Sequence, residues 1–290
     1  MKQENYFKYK DNFAVFILSY NRAYTITTVD MLRKFHYTGR WYVVIDDTDP
    51  QLELYKHRFK KHVLIFNKKE YANRTDLGDN QTDLRIGVLA RNAIIDFAHN
   101  MGYQYHLQLD DDYKEFHFRW PKDNKMMVSK VNDLDRLFEI FLDYLSESDA
   151  TCLSCAVGGD FIGGVNNGRY FEGLLRKSMN VFFLRDDKPF YFQMRMNDDV
   201  TTNALNTVRG NVFLSNTYVM IHMEDTQKGE GGMTDIYLDA GTYMKSFYTV
   251  MCAPSCCTIR MMNTSHSRPY HSIDWNHCAP KIISEKYKKE

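Results

Sequence analysis

The stretch GVLARNAIIDFAHNMGYQYHLQLDDD, residues 87–112, decides the fold predicted for this chain. Its first part repeats apolar residues at the spacing of a helix with one buried face. Asp83 is the predicted N-cap of this helix, and Gly102 follows it where a left-handed C-terminal stop belongs. Its second part, YHLQL, predicts a strand that leads into three consecutive aspartates. The stretch therefore predicts a helix, a strand and an acidic site where that strand ends.

Shorter elements of the same two kinds surround this stretch. Apolar runs predict three further buried strands, at Phe13–Ser19, Trp41–Ile45 and Val63–Phe66. Helices are predicted over Tyr24–Phe35, with Asn21 as its start signal, near Gln51–Phe59, and from Val131 to Leu145. Lys68–Asp83 lacks periodicity and is predicted to be a loop. The alternation of strands and helices predicts an α/β fold with a mainly parallel sheet.

The charge balance limits the kinds of partner. Lysine and arginine number 37, aspartate and glutamate also number 37, and the formal net charge is zero. This balance weighs against a general nucleic-acid coat protein, which needs excess cations to displace counterions from phosphates. A local basic face stays compatible with it. Lys56–Lys69 is the candidate, although a solvated surface explains such a run equally well.

The apolar segments and the cysteines indicate the cellular compartment. The sequence has no targeting segment and no apolar window long enough for a membrane span, so we expect a cytoplasmic protein with reduced thiols. Cys152 and Cys155 lie in a strand-like run whose alternation sends them to opposite faces. Cys256, Cys257 and Cys278 stay open as zinc ligands, although no second CxxC motif accompanies them.

The acidic triplet Asp110–Asp112 is the main candidate for a functional site. In open α/β sheets, ligands bind outside the carboxyl ends of the strands, where this triplet lies. Three adjacent carboxylates repel one another, and a divalent cation with a diphosphate relieves that repulsion. Such oxygen ligands suit Mg²⁺ or Mn²⁺. We expect Asp110 and Asp112 to face one ligand, because residues two apart in an extended segment share a face. An acidic turn that caps a helix is the alternative.

Several segments in a fixed order resemble a known family. FILSYNRA at 16–23, VVIDD at 43–47, GVLARN at 87–92 and LQLDDDY at 107–113 resemble GT-A glycosyltransferases. With GGDFIGG at 158–164, NDDV at 197–200 and the segment 231–251, the chain more closely resembles the TET-associated glycosyltransferase family of bacteriophages and bacteria. The resemblance covers residues 12–281. It implies one GT-A-like domain, with a nucleotide-sugar half near 12–115 and an acceptor half near 116–281, and host cytoplasm if phage-encoded.

The resemblance also implies a donor site for a nucleoside-diphosphate sugar, with a UDP-sugar expected. The implied donor-binding residues are Ser19, Asn21, Arg22, Asp46, Asp47, Arg91, Asp110 and Asp111. Asp112 would bind the Mn²⁺ or Mg²⁺ ion, which stabilises the leaving diphosphate. His271 would complete the metal site, with His266 and His277 as alternatives. A structural role for a lone histidine stays open as well.

Inverting transfer needs a carboxylate that takes a proton from the acceptor hydroxyl. The resemblance implies Asp199 as this base and Asp198 as an assisting group. Similar enzymes have glutamate at the position of Asp198, which puts its role in doubt, and a helix N-terminal pair is the structural alternative. The expected acceptor-binding residues are Asp160, Arg176 and Lys177, with stacking or phosphate contacts from Phe161, Arg169, Tyr170 and Phe171. The aromatic and basic residues of this region fit a core and a solvated surface equally well.

The family resemblance implies a hydroxymethylpyrimidine in DNA as the acceptor, and such a base must leave its stack to react. Three other functions stay open. The same chemistry would serve a protein or glycan acceptor, whereas a lipid acceptor is disfavoured without a membrane element. A nucleotidyltransferase would share the acidic metal site but needs a Gly-rich loop, and Ser19–Arg22 contains no glycine. A catalytically silent nucleotide-sugar binding protein would not need Asp112 and Asp199.

Overall fold

The computed structural model of the chain describes residues 7–161, 163–166, 176–223, 244–263 and 267–280. The strands are β1 Phe13–Leu18, β2 Arg40–Asp46, β3 Val63–Phe66, β4 Tyr105–Asp110, β5 Tyr113–Lys122, β6 Lys125–Lys130, β7 Cys152–Ala156, β8 Phe182–Arg185, β9 Phe213–Met223, β10 Cys257–Asn263 and β11 Ser267–Ile273. The helices are α1 Thr27–Lys34, α2 Leu52–Phe59, α3 Lys68–Arg74, α4 Gly87–Asn100, α5 Leu134–Glu147, α6 Asp198–Val208 and α7, residues 244–252.

One sheet contains nine of these strands, in the order β3-β2-β1-β4-β8-β7-β9-β5-β6. The first four strands are parallel, and β7 is parallel to β9. Only β5 and β8, among the described strands of this sheet, run against the others. The carboxyl ends of β1, β2, β4, β7 and β9 therefore lie along one edge of the sheet. Strands β10 and β11 form a separate antiparallel pair.

Helices cover both faces of the sheet, as the sequence predicts. In β1, Phe13, Val15 and Ile17 pack into a core with α1, α2 and α5. Its alternate residues Ala14 and Phe16 pack into a second core with α3 and α4. A strand that is apolar on both faces is stable only between two such layers. The α/β fold class predicted from the sequence is confirmed.

The two cysteines of the CxxC motif occupy different cores. Cys152 packs in the core on the α4 side, and Cys155 packs in the core on the α5 side. Successive odd and even positions of a strand point to opposite faces, so three residues of separation place them apart. The predicted separation is confirmed. Both thiols are buried and free, and burial raises the pKa of Cys155 to about 12.

Two element predictions in the first half of the chain were wrong. The first helix begins at Thr27, because Asn21 adopts a left-handed φ of 54° and donates its N–H to Asp49 at 2.9 Å. The predicted loop contains α3, which Asn67 caps by accepting the N–H of Glu70 at 2.8 Å. Asn67 is a recognisable N-cap residue in the sequence. The helix α3 was nevertheless missed, because it has too few residues for a clear apolar period.

Asp83 was also wrongly predicted to cap α4. Its carboxylate accepts the N–H of Arg85 at 2.9 Å, which forms a local turn, and α4 begins at Gly87 without a side-chain cap. Asp is suited to both arrangements, because its short side chain bonds nearby backbone groups in turns as well as at helix starts. The left-handed stop at Gly102, with φ of 76°, is confirmed.

A buried arginine ties the segment between α3 and α4 to the chain ahead of α6. The side chain of Arg195 is 0% exposed and donates to both carboxylate oxygens of Asp79, at 3.0 and 2.8 Å. It also donates to the carbonyl of Gln81 at 2.7 Å and to the carbonyl of Asp83. Tyr248 donates to the same Asp79 carboxylate. Arg195 therefore holds this loop in one conformation.

We expect Arg195→Met to lower the free energy of unfolding by about 3 kcal/mol, because Asp79 loses its cationic partner and the carbonyls of Gln81 and Asp83 lose a donor. Urea unfolding followed by far-ultraviolet circular dichroism measures this change. Arg136→Met is the control, since the Arg136 side chain is 67% exposed and forms an ion pair with Glu139 in the same helix. An equal effect of the two substitutions would contradict the role of Arg195.

No helix among the described residues is long and apolar enough to cross a membrane.

Candidate functional site

The acidic triplet lies where β4 ends, and its side chains diverge. Asp110 accepts hydrogen bonds from Arg91 at 2.9 Å and from Tyr113 at 3.0 Å. Asp111 is buried and faces the other way, where it accepts from Ser19 at 2.6 Å and from Arg22 at 2.9 Å. The chain turns at these residues before β5 begins, so they do not form the extended segment that the sequence analysis assumed.

Asp112 differs from its two neighbours because its carboxylate forms no ion pair within the described part of the chain. Burial, with the charges of Asp110 and Asp111, raises the pKa of Asp112 to about 6. The charge of Arg22 and the backbone N–H of Asp112 itself lower this pKa only in part. Arg91 and Arg22 neutralise the other two carboxylates. The site therefore has one carboxylate that a further cation would stabilise.

Thr28 of α1 shapes the turn that carries the triplet. Its hydroxyl donates to the carbonyl of Asp110 at 2.6 Å and accepts the N–H of Tyr113 at 2.9 Å. Its own N–H donates to the carbonyl of Asp111 at 3.3 Å. These bonds fix the backbone on both sides of the triplet. No sequence pattern indicates this role, because Thr28 lies more than eighty residues away and resembles any threonine in a first helical turn.

Arg91 joins the triplet to the start of α6. Its Nη2 donates to Asp110 at 2.9 Å, and its Nε donates to Asp198 at 3.2 Å. The guanidinium is buried and lies over the ring of Phe182, at 5.0 Å from the centroid. Burial lowers its pKa, but the two carboxylates outweigh this and raise the pKa above the usual value. Its Nη1 is buried and without a hydrogen-bond partner in the described residues, so one donor remains for a ligand.

The loop after β1 is fixed by α2 and by the triplet. The hydroxyl of Tyr55 lies 2.7 Å from that of Ser19 and accepts the N–H of Arg22 at 2.9 Å. Burial raises the pKa of Tyr55 well above its usual range, so it stays neutral. The structure therefore brings Ser19 and Arg22 together with Asp111, whereas the backbone N–H of Asn21 donates to Asp49. The sequence analysis missed Tyr55, because it lies within an ordinary amphipathic helix.

The end of β2 holds the two other acidic candidates. Asp46 is buried, forms an ion pair with Lys68 at 3.0 Å, and accepts from the N–H and hydroxyl of Thr48 at 2.9 and 2.6 Å. Asp47 is exposed and accepts the N–H of Lys68 at 3.0 Å. The ammonium of Lys68 also lies 4.8 Å from the ring centroid of Tyr20. Both oxygens of Asp46 are therefore already engaged, whereas Asp47 retains an oxygen at the surface.

Asp198 and Asp199 form the first turn of α6. Asn197 precedes them with a left-handed φ of 55° and provides no side-chain cap to the helix. Asp199 forms an ion pair with Lys177 and accepts the N–H of Val200 at 2.6 Å. Burial raises the pKa of Asp199, but Lys177 outweighs burial and keeps it below the usual value. Burial dominates at Asp198 and raises its pKa, although Arg91 opposes this. Asp199 is thus ionised at neutral pH.

His271 of β11 lies beside this ion pair. Its Nδ1 is 3.0 Å from the side-chain nitrogen of Asn197, which also donates to the carbonyl of Lys245 at 2.7 Å. That second bond orients the amide, so Nδ1 accepts and a neutral ring carries its proton on Nε2. Burial, assisted by Lys177 and Lys245, lowers the pKa of His271 to about 4. Its role as a metal ligand stays a prediction, and two neighbouring ammonium groups do not favour it.

The other predicted residues are placed as follows. His277 is exposed and pairs with Asp274 at 3.2 Å. Asp160 forms an ion pair with Arg176, and Lys177 is adjacent to Arg176 in the chain. His266, Arg169, Tyr170 and Phe171 lie outside the described residues.

A protein-only metal cage is absent from the part of the chain that the structure describes. No group of three or more histidine, cysteine, aspartate or glutamate side chains is arranged there to hold a metal ion. Cys256 and Cys278 pack in a small apolar cluster with Ala204 and Ala253. The zinc site that the sequence left open is therefore not formed by the described residues.

Comparison with protein families identifies the enzyme class. A family model described as TET-Associated Glycosyltransferase matches residues 13–232, which include the triplet, Arg91 and Asp199. The protein is therefore a glycosyltransferase. It belongs to the TET-associated glycosyltransferase family, as the sequence segments predicted. No curated protein matches the chain.

Solved glycosyltransferase structures are similar to this chain at low identity. Glucosyl-3-phosphoglycerate synthase from Mycobacterium tuberculosis, in complex with Mn²⁺, UDP and phosphoglyceric acid, has a TM-score of 0.48 and 8% identity over 90% of this chain and 86% of that chain. The mannosyltransferase PcManGT from Pyrobaculum calidifontis, in complex with GDP-Man and Mn²⁺, has a TM-score of 0.47 and 13% identity over 86% and 73% of the two chains.

Proposed function

We propose that this glycosyltransferase moves a sugar from a nucleoside-diphosphate sugar, with a UDP-sugar expected, to the hydroxymethyl group of a modified pyrimidine in DNA. The transfer would use Mn²⁺ or Mg²⁺ and invert the anomeric carbon. The observation that carries the proposal is the pairing pattern of the triplet. Asp110 and Asp111 each form an ion pair with an arginine, whereas Asp112, between the strands, forms none with any residue that the structure describes.

The residues present fit a divalent cation held partly by substrate. Mg²⁺ and Mn²⁺ commonly take one or two carboxylates, with water and phosphate oxygens as the remaining ligands. Asp112 offers such a carboxylate, and the raised pKa of Asp112 indicates that its charge lacks compensation. His271 is the second predicted ligand. When bound, the ion would stabilise negative charge on the leaving diphosphate.

The donor would lie along the carboxyl edge of the parallel strands. Arg91 has an unpartnered Nη1 and is held by two carboxylates, so it is preorganised to donate to the diphosphate or the sugar. Asp110 would accept from the ribose. The loop residues Ser19, Asn21 and Arg22 would contact base and ribose, and the surface oxygen of Asp47 suits a base N–H better than the engaged Asp46.

Asp199 would act as the base. The acceptor oxygen forms a bond to the anomeric carbon, its proton goes to the Asp199 carboxylate, and the bond between that carbon and the diphosphate breaks. Asp198 would orient Arg91 toward the donor. Asp160, Arg176 and Lys177 would line the acceptor side, since their ion pairs connect the segment after β7 with Asp199.

One experiment tests this function. The protein is incubated with Mn²⁺, a panel of nucleotide sugars, and an oligonucleotide that contains hydroxymethylcytosine, hydroxymethyluracil or the unmodified base. Among the oligonucleotides, we expect a mass gain of one sugar only on a modified one, together with release of nucleoside diphosphate above the rate of hydrolysis without acceptor. Transfer to a protein or glycan fraction instead would overturn the acceptor, and release of pyrophosphate would indicate a nucleotidyltransferase.

A further inference from the structure

Strands β5 and β6 form a hairpin, residues 113–130, that ends the large sheet. Among the described strands, β6 pairs only with β5 and is therefore the outer edge strand of this sheet. Strand β5 pairs with β9 as far as Phe118 opposite Val219, and beyond that point only with β6. The outer half of this basic hairpin therefore separates from β9, which continues along β7 to Phe213. It begins directly after Asp112 and, at about 3.3 Å per residue, its ten-residue β5 spans about 33 Å.

The basic hairpin carries a local positive charge on a chain that is neutral overall. Its basic residues are Lys114, Arg119, Lys122, Lys125 and Lys130, against Glu115 and Asp123. Glu115 already accepts from Lys130 at 2.6 Å and lies 2.8 Å from His117. The hairpin sequence therefore has three more basic than acidic residues.

Lys122 and Lys125 lie directly opposite each other beside the turn. Both are exposed, and neither has a carboxylate partner in the described part of the protein. Like charges at opposite positions destabilise an antiparallel pair. Lysine on an edge strand discourages pairing with another sheet. This accounts for Lys125, which lies on the edge strand β6, but not for Lys122, which lies on β5. An anion bound between the two ammonium groups would remove the repulsion.

One face of the hairpin combines these charges with aromatic surface. Phe118, Trp120 and Lys122 alternate along β5 and share a face, and Met127 lies opposite Trp120. Phe118 is 37% exposed and Met127 is 38% exposed. Proteins that bind single-stranded nucleic acid combine cations for the backbone with rings on which bases stack. The chemistry of this face fits that kind of ligand.

The opposite face contacts the acceptor side of the site. The guanidinium of Arg119 lies 4.8 Å from the ring centroid of Phe161, and Met126 packs against the small cluster that contains Phe161. The neighbouring Asp160 pairs with Arg176, and the next residue, Lys177, pairs with Asp199. These contacts connect the basic hairpin with the residue proposed as the base.

We propose that the outer face of the basic hairpin, formed by Phe118, Trp120, Lys122, Lys125 and Met127, binds the unpaired nucleotides that flank the target base. The inference rests on the proposed DNA acceptor. Phosphates bind between Lys122 and Lys125, and a flanking base stacks on Trp120. An oligonucleotide long enough to reach the hairpin turn therefore binds more tightly than a single nucleoside.

The test compares K122E/K125E with K60E/K61E, which makes the same charge change in the exposed basic run 56–69. Anisotropy of a labelled single-stranded 15-nucleotide probe at several salt concentrations gives the affinity. We expect K122E/K125E to weaken binding about 10-fold or more and to reduce the salt slope by about 1 to 2. The control keeps the wild-type affinity. Trp120→Leu is expected to weaken binding about 10-fold with an unchanged salt slope.

Two further rates separate this inference from the proposed function. Hydrolysis of the nucleotide sugar without acceptor and transfer to a hydroxymethyl nucleoside are expected to stay unchanged in K122E/K125E. Wild-type affinity of K122E/K125E for the probe, or a larger loss in K60E/K61E, overturns the inference. Hairpin-dependent DNA binding without any transfer to DNA overturns the proposed function and leaves only the hairpin as a single-strand binding face. Absence of DNA binding by the wild-type protein overturns the inference.

Discussion

Asp199→Asn is expected to lower the rate of sugar transfer by about 1,000-fold or more, because a positioned general base contributes about 100- to 10,000-fold. The amide keeps the shape of the carboxylate and can still accept the N–H of Val200, so α6 remains folded. The Kd for the nucleotide sugar, measured by calorimetry, is expected to stay within about twofold of the wild-type value, because the general base does not contribute to binding of the donor. Full transfer activity of the variant would contradict the assignment of the base.

Lys177→Met provides a second measurement on the same carboxylate. Lys177 holds the pKa of Asp199 below its usual value, so removal of the ammonium raises that pKa. The base is active when ionised, and the acid limb of the profile of kcat/KM against pH therefore moves to higher pH. A purely structural role of Asp199 predicts lower activity at every pH without this displacement. Lys188→Met, in an ion pair with Asp149, is the control substitution.

Asp112→Asn is expected to reduce transfer about 1,000-fold, because loss of a metal ligand removes several kcal/mol of charge stabilisation from the transition state. The same substitution is expected to abolish the rise in melting temperature that Mn²⁺ and nucleoside diphosphate together produce in the wild-type protein. Differential scanning fluorimetry measures this rise. An undiminished response of the variant to Mn²⁺ would remove Asp112 from the metal site.

In the metal-free protein, Asp112→Asn is expected to increase the free energy of unfolding at neutral pH. The pKa of Asp112 rises from 3.8 to about 6 on folding, so the folded protein binds more protons between these values. The stability that this extra proton binding gives to the folded state is present below pH 4 and is lost as the pH rises through 6. Asp112→Asn avoids that loss, and we expect it to stabilise the metal-free protein by about 1 kcal/mol at pH 7.5, after allowance for solvent screening. Below pH 4 the two proteins should unfold alike.

The first half of the fold was predictable because its signals are local. Buried parallel strands are continuous apolar runs, and α4 carries a long amphipathic period, so β1, β2, β3 and β4 were predicted within a residue or two. The basic hairpin was missed because its two buried residues, Tyr113 and Phe116, are three apart and do not give the period-two alternation of a half-buried strand. The position of β8 between β4 and β7 was also beyond prediction, since strand order depends on pairing between distant segments.

The site shows the same division between local and distant information. The triplet and the acidic pair of α6 are recognisable as motifs. The partners that give them different properties are not, because Arg91 and Lys177 reach these carboxylates, and Thr28 reaches the backbone of the triplet, only through the fold. Motifs therefore identified the charged groups. The structure was needed to show which carboxylates are neutralised and which one remains for a cation.

The interleaved strand order has a consequence for biosynthesis. Strand β4 leaves the ribosome with one neighbour, β1, while its other neighbour, β8, follows more than seventy residues later. Until then the exposed edge of β4 can pair with another nascent chain. A truncated gene that stops near residue 115 should therefore yield inclusion bodies rather than an independent nucleotide-binding module.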